Sequence, residues 1–295
     1  MGSPQFSVLS PQSSVLSPNM IVDVHTHLVN YDPATQGYRD FLERYRPGYF
    51  GEFSKHYSEP SAVEEMLAAQ GVDRAIVLAQ ETPVTAGMAS TRAVIAFCKG
   101  ASRLIPFASI NPFLEFNPAD ALRRAVDEGC RGLKLYPSYQ FFFPNEPIVY
   151  PLYATAARLD VPVVIHTGSS TFPGSRIRYA DPLHLDDVAV DFPDLVIILA
   201  HAGRPIWYDR AAALARLHRN VYLDLAGLPP ANLPRYFPNL SRLADKMLFG
   251  SDWPAIPTEI AENIAAFRAL GLPEPAQRAV LGETAARLLG LRTGD

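Results

Sequence analysis

Two histidines one residue apart, His25 and His27, end the short apolar run Ile21-Val22-Asp23-Val24-His25-Thr26-His27. On a β-strand, side chains at i and i+2 share a face, so Asp23, His25 and His27 line one side and Val22, Val24 and Thr26 the other. Two imidazoles aimed one way from a strand end can grip a single metal ion. The alternative, a packed pair of core histidines, is costly, because buried imidazoles without partners lose their bonds to water. The same pattern recurs downstream. His166 follows Val-Val-Ile165, His201 follows Ile-Ile-Leu-Ala200, Asp252 follows Leu-Phe-Gly-Ser251, and Lys134 sits inside Gly-Leu-Lys-Leu-Tyr-Pro137. Four histidines and an aspartate at the ends of apolar runs are hard to explain as packing.

Eight runs have strand character: Ile21–Val24, Arg74–Leu78, Leu104–Ile110, Gly132–Tyr136, Val161–Ile165, Leu195–Ala200, Val221–Leu225 and Lys246–Phe249. Helical stretches separate them. Ser61-Ala-Val-Glu64 resembles a capping box, and Asn117-Pro118 puts proline in a first turn. Ala211–Leu217 and Ile260–Leu270 have helical spacing, and Gly71, Gly129 and Gly271 fall where helix C-caps belong. Short apolar strands alternating with helices imply a parallel sheet buried on both faces. Eight such units in about 275 residues fit a (β/α)8 barrel, whose chemistry sits at the C-terminal strand ends. No glycine-rich phosphate loop follows the first run, which argues against a dinucleotide fold. The stretch from Val29 to Pro60 carries Tyr31, Tyr38, Phe41, Tyr45, Tyr49, Phe50, Phe53 and Tyr57. It reads as an aromatic cap inserted after the first strand, either walling the pocket or simply packing itself down.

Residues 1–19 repeat Ser-Val-Leu-Ser-Pro and have little to bury. They read as a disordered tail or an upstream-start artefact ahead of Met20, with residues 20–295 forming one domain. The 295-residue chain has a formal net charge of -4 and no long basic run, which argues against nucleic acid or an anionic membrane as partner. No apolar run reaches the roughly 20 residues of a membrane span, and no secretion signal is visible. The two cysteines, Cys98 and Cys130, are far apart and form no disulfide framework, so a cytoplasmic location is expected.

The set His25-x-His27, His166, His201 and Asp252, in that order on eight βα units, resembles the amidohydrolase superfamily. The segments Gly-Leu-Lys-Leu-Tyr-Pro137, His201-Ala-Gly-Arg-Pro205 and Phe249-Gly-Ser-Asp-Trp-Pro254 resemble its amidohydrolase-related branch, which includes aminocarboxymuconate-semialdehyde decarboxylase and resorcylate-type decarboxylases alongside many hydrolase-like proteins. The resemblance implies that His25, His27, His166 and Asp252 hold one divalent metal, with His201 beside it. Three neutral imidazoles and a carboxylate suit Zn2+, and Mn2+ is also compatible. Asp252 and His201 are then the catalytic pair, the first handling the proton of water and the second polarising the substrate oxygen or delivering a proton. Asp23 is a candidate to orient His25, or else makes a structural strand-base bond.

Lys134 reads as an uncarboxylated lysine holding a substrate carboxylate or supporting the site. The alternatives are a barrel-interior ion pair and a carboxylated bridge between two metals. Arg204 is a candidate carboxylate fork, and Arg176 and Arg178 are weaker ones. Tyr136 and Trp253 could stack on a planar ligand. His56, His184 and His218 read as surface or cap residues. The favoured reading is a metal-dependent hydrolase of a small ester, lactone or amide bearing an acidic or planar group. The alternative is a metal-dependent non-oxidative decarboxylase of an aromatic or unsaturated acid. A catalytically dead binding barrel is disfavoured by the intact ligand set. The expected partner is a small-molecule substrate, and a second copy of the chain is a candidate partner.

Overall fold

A computed structural model describes residues 20–291, so the reading of residues 1–19 lies outside the described part. Eight parallel strands form one sheet, each neighbouring the next in chain order. They are β1 (Val22–His27), β2 (Arg74–Leu78), β5 (Leu104–Ser109), β6 (Leu133–Leu135), β7 (Val163–His166), β8 (Ile197–Ala200), β9 (Val221–Asp224) and β10 (Met247–Leu248). The ring closes through β1. Val24 N–H donates to Phe249 O at 2.9 Å, Asp252 N–H to His25 O at 2.9 Å, and His27 N–H to Trp253 O at 2.8 Å. The (β/α)8 barrel expected from the alternation is therefore the fold, and each of the eight apolar runs supplies one strand.

Two apolar clusters follow from strand alternation. The inner one holds Val22, Val24, Ile76, Leu78, Ile105, Phe107, Val164, Ile198, Tyr222 and Leu248. Ala285, Ala286 and Leu289, from the C-terminal helix Thr284–Leu289, join it and plug the barrel's lower end. The outer cluster joins the opposite strand faces to the surrounding helices. Most side chains in both clusters are excluded from water, so the barrel floor is a rigid base for the residues above it.

The helix ends differ in detail from the sequence reading. Asn117 caps the helix Pro118–Asp127 by accepting from Asp120 N–H, and Gly71, Gly129 and Gly271 adopt left-handed φ at helix ends. Ser61 is not a cap. The helix starts one residue earlier, at Pro60, and Glu64 instead accepts from Arg103 N–H at 2.7 Å. A hairpin that the sequence reading missed, β3 (Gln80–Thr82) with β4 (Gly87–Ala89), rises after β2. Its residues alternate too briefly to signal a strand. The insertion after β1 carries helix α1 (Gln36–Tyr45), capped by the Thr35 hydroxyl. Among the described residues no helix is long and apolar enough to cross a membrane.

Candidate metal centre

The register of β1 against β2 shifts between Asp23 and Thr26. Asp23 pairs with Ala75 and Thr26 with Val77, both outer-face residues, whereas His27 pairs with inner-face Leu78. With Val24 in the inner cluster, the irregularity turns two successive residues, Val24 and His25, inward. His25 and His27 therefore reach the mouth of the barrel while Asp23 stays on the outer face. The unbroken alternation expected for Asp23, His25 and His27 does not hold. Asp23 Oδ1 instead accepts from His25 N–H and Ser251 N–H, both at 3.0 Å, and so satisfies the amide that the irregularity leaves unpaired.

Asp224, at the end of β9, orients His25; the sequence reading passed over it. Its Oδ2 lies 2.5 Å from His25 Nδ1, and its Oδ1 accepts from Ala226 N–H at 2.8 Å. Gly250 makes room for this pair. A Cβ there would sit 2.4 Å from Asp224 Oδ1 and 2.9 Å from His25 Cβ. Burial raises the Asp224 carboxyl to about 7, against the lowering pull of Lys134. His27 is held differently. Its Nδ1 lies 3.3 Å from the Tyr31 hydroxyl, which donates to Gln80 Oε1 at 2.8 Å.

With both Nδ1 atoms tied, the Nε2 atoms of His25 and His27 face Asp252 Oδ1 at 3.7 and 3.5 Å. The donor atoms of His25, His27 and Asp252 lie within 4.8 Å of one another, the spacing of a metal-ligand set. Asp252 Oδ2 faces the other way, 4.0 Å from His201 Nδ1. Burial works against the Asp252 charge, but His27, His25 and Arg204 outweigh it and hold the carboxyl at about 2. His201 and Asp252 both adopt left-handed backbone, φ 63° each, a conformation uncommon for non-glycine residues.

His166 stands outside the three-residue set by donor spacing. Its ring lies 4.8 Å from that of His201, and its Nε2 is buried with no hydrogen-bond partner among the described residues. A bare imidazole nitrogen without a partner beside two others and a carboxylate fits a cation better than a packed core. Burial, with Lys134 and Arg204 nearby, pushes His166 well below its ordinary value; burial does the same for His25 and His201. All three rings are therefore neutral at pH 7, the form in which imidazole binds metal. His201 Nδ1 sits 2.9 Å from Ala226 O and so carries the proton, leaving Nε2 bare.

These groups floor a cavity of about 220 Å³. Its walls include Tyr31, Tyr38, Phe41, Tyr45, Tyr136, Tyr139 and Phe172, with Ser169, Ser170 and Thr171 on one side. The insertion thus divides. Tyr31, Tyr38, Phe41 and Tyr45 face the cavity, while Tyr49, Phe53 and Tyr57 pack on one another and toward Trp253. Among the described residues Arg204 is the one arginine or lysine of the lining, and it donates to Gly227 O at 3.0 Å. Tyr136 lines the cavity too, with its hydroxyl committed to Ala79 O at 2.9 Å.

Lys134 and Trp253 are not part of the lining. Lys134 projects into the barrel beneath the histidines, with Nζ 4.9 Å from the Tyr136 ring centroid and no hydrogen-bond partner among the described residues. Burial lowers its ammonium to about 8, while Asp224 and Asp252 resist the shift. Trp253 is buried against Tyr57 of the insertion at 5.4 Å. Arg176 and Arg178 stack on Phe141 and Tyr179 away from the cavity, and His218 pairs with Asp186 at 2.6 Å.

Comparison with known proteins agrees with this architecture. An uncharacterised TIM-barrel protein of Bordetella bronchiseptica superposes with a TM-score of 0.75 at 24% identity, covering 92% of this chain and 99% of the other. A 2,6-dihydroxybenzoate decarboxylase complexed with 2,6-dihydroxybenzoate gives 0.65 at 18% identity, with 92% and 98% covered. A probable 2-pyrone-4,6-dicarboxylic acid hydrolase of Acinetobacter baumannii gives 0.64 at 16%, with 92% and 99% covered. No protein of curated function matches the sequence. The sequence profile described as amidohydrolase matches residues 22–291, from the first barrel strand to the end of the described chain, and the protein belongs to this family of enzymes.

Proposed function

We propose that the protein is a metal-dependent hydrolase acting on a small ester, lactone or amide that carries an acidic or planar group. The observation that carries this reading is the divided carboxylate of Asp252. One oxygen faces the Nε2 pair of His25 and His27, and the other faces His201. The histidines, the aspartate and the orphaned Nε2 of His166 suit one divalent ion, Zn2+ or Mn2+. Such an ion supplies Lewis acidity and lowers the pKa of an adjacent water toward about 7.

The chain's own groups divide the remaining work. Asp252 Oδ2 takes the proton of the attacking water and later returns it to the leaving group. His201, with its proton fixed on Nδ1 by Ala226, offers a bare Nε2 as a second proton acceptor. A neutral ring in this tautomer cannot donate to an oxyanion from Nε2, so that task falls to the permanent charge of Arg204 or to the ion. Arg204 also suits an acidic substituent, and the tyrosine walls suit a planar one. Tyr136 contributes its ring alone.

The second reading, non-oxidative decarboxylation of an aromatic acid, is favoured by those same walls. It needs a group in the cavity that protonates carbon, whereas Asp252 is held ionised and the buried rings neutral. The metal-loaded protein is to be assayed on simple lactones, aryl esters and a pyrone for acid release, and on hydroxybenzoates for carbon dioxide release. Acid release is expected. Carbon dioxide from the hydroxybenzoates with no turnover of any lactone or ester would replace the first reading with the second.

A further inference from the structure

His25 and His27 present equivalent nitrogens to Asp252, but among the described residues only His25 has a carboxylate behind it. Three buried side chains and one backbone carbonyl lie behind His27. The Thr82 hydroxyl donates to Gly87 O at 3.3 Å, Gln80 Nε2 donates to Thr82 Oγ1 at 3.0 Å, and Tyr31 donates to Gln80 Oε1 at 2.8 Å. The Tyr31 oxygen then lies 3.3 Å from His27 Nδ1.

The direction of every bond in this row follows from its far end. A carbonyl can only accept, so Thr82 spends its one proton on Gly87 and must accept from Gln80. The Gln80 amide nitrogen is thereby committed to Thr82, which turns its oxygen to Tyr31. Tyr31 spends its proton on that oxygen and can only accept from His27. The proton of a neutral His27 must then sit on Nδ1, and Nε2 is left bare toward Asp252.

The row also has a rigid mount. The hairpin β3–β4 is joined to the insertion after β1 by Asp32 N–H to Met88 O at 2.8 Å, Met88 N–H to Pro33 O at 3.1 Å and Thr35 N–H to Ala86 O at 3.0 Å. At Gly87, φ is +123°, and a Cβ would come within 2.3 Å of Pro33 O, so only glycine allows this approach.

We propose that Tyr31 and Gln80 are positioning residues that set the tautomer of His27, through a hydrogen-bond row whose polarity starts at the Gly87 carbonyl. The proposal rests on the reading of His27 as a metal ligand only where affinity is concerned. The tautomer itself is a property of the metal-free chain. Removing Tyr31 leaves Nδ1 without a partner. Removing the Gln80 acceptor frees the Tyr31 proton to turn to Nδ1, which moves the ring proton to Nε2 and blocks the ligand position.

The test compares wild type with Tyr31→Phe, Gln80→Leu and Gln80→Glu. Imidazole 15N shifts are read in metal-free protein, and Co2+ and Zn2+ affinity by chelator competition. Wild type and Gln80→Glu, which keeps an acceptor for Tyr31, are expected to show a single Nδ1–H form of His27. Tyr31→Phe and Gln80→Leu are expected to show mixed or reversed tautomers and about tenfold weaker metal binding, the size of effect that such supporting bonds carry. The His25 ring, tied to Asp224, should keep its shifts in all four proteins. Unchanged His27 shifts in Tyr31→Phe, or equal changes at His25 and His27, would overturn the proposal. If wild type binds no metal while the His27 tautomer still responds, the metal reading fails and the row stands.

Discussion

Replacing Asp224 by Asn keeps the shape of the side chain and changes only which atoms can accept. Both oxygens are in use, Oδ2 beside His25 Nδ1 at 2.5 Å and Oδ1 on Ala226 N–H at 2.8 Å. An amide has one oxygen. If it stays with Ala226, the NH2 group faces His25 Nδ1 and drives the ring proton to Nε2, the atom that should be bare. If it turns to His25, the NH2 group meets the Ala226 N–H and leaves a buried donor unpaired, at a cost of about 1–3 kcal/mol. Affinity for the divalent ion should drop about 10- to 100-fold, which corresponds to about 1.4–2.8 kcal/mol. Stability should move less than affinity. Burial already lifts the Asp224 carboxyl to about 7, so its charge is itself expensive to hold and the neutral amide relieves part of that cost. The assay is chelator competition for Zn2+ on the folded variant, paired with a thermal melt of the metal-free protein. Unaltered affinity in a folded Asp224→Asn protein would refute the claim that this carboxylate sets the His25 ligand. A large loss of stability with no loss of affinity per folded molecule would refute it equally.

Three further outcomes are expected. His201→Asn should lower kcat by about 10²- to 10⁴-fold, the usual worth of a positioned acid or base, with metal content by elemental analysis unchanged; loss of the metal would make His201 a ligand. Arg204→Gln should raise KM for an acidic substrate about tenfold or more and leave the KM of a neutral ester of the same acid little changed, any share in oxyanion stabilisation showing in kcat for both; equal changes of KM would remove Arg204 from carboxylate recognition. Because burial holds His166 neutral well below its ordinary value, the unfolded chain binds its proton at a higher pH than the folded one. That contribution to stability is present above about pH 6.5 and is lost as the pH falls. In the metal-free protein His166→Gln should therefore flatten the decline in stability between pH 6.5 and 5 by up to about 1.4 kcal/mol per pH unit, and identical slopes would refute the assignment.

The barrel was legible because its signals are cumulative. Each apolar run is ambiguous alone, but eight in alternation with helices leave few topologies. The site was legible to the extent that its residues close those runs. His25, His27, His166 and His201 follow β-branched or aliphatic stretches, Asp252 comes three residues after the last apolar run, and all of them floor the same cavity. Asp224 also closes such a stretch, Val221–Leu223. It was overlooked because a single acidic residue inside an apolar run reads as an irregularity until a histidine 199 positions away is placed beside it. Lys134 and Trp253 sit outside the cavity lining for a related reason. Adjacency to a site in sequence fixes which strand end a residue occupies, not its depth along the strand. Lys134 lies below the histidines, and Trp253 turns outward to the insertion.

The face of β1 was beyond a period-two argument altogether. Strict alternation would send Val24 inward and His25 and His27 outward, into the helix-facing layer, where no cation could reach them. The register shift between Asp23 and Thr26 moves both imidazoles to the mouth of the barrel and leaves His25 N–H without a ladder partner. Asp23 is the residue that makes the shift tolerable, since one carboxylate oxygen accepts both that amide and Ser251 N–H from the segment carrying Asp252. The bond that relieves β1 therefore also ties the third donor to the first two. Asp23 acts on the site through the backbone, whereas Asp224 acts through the ring, and the geometry of the candidate metal site depends on having both.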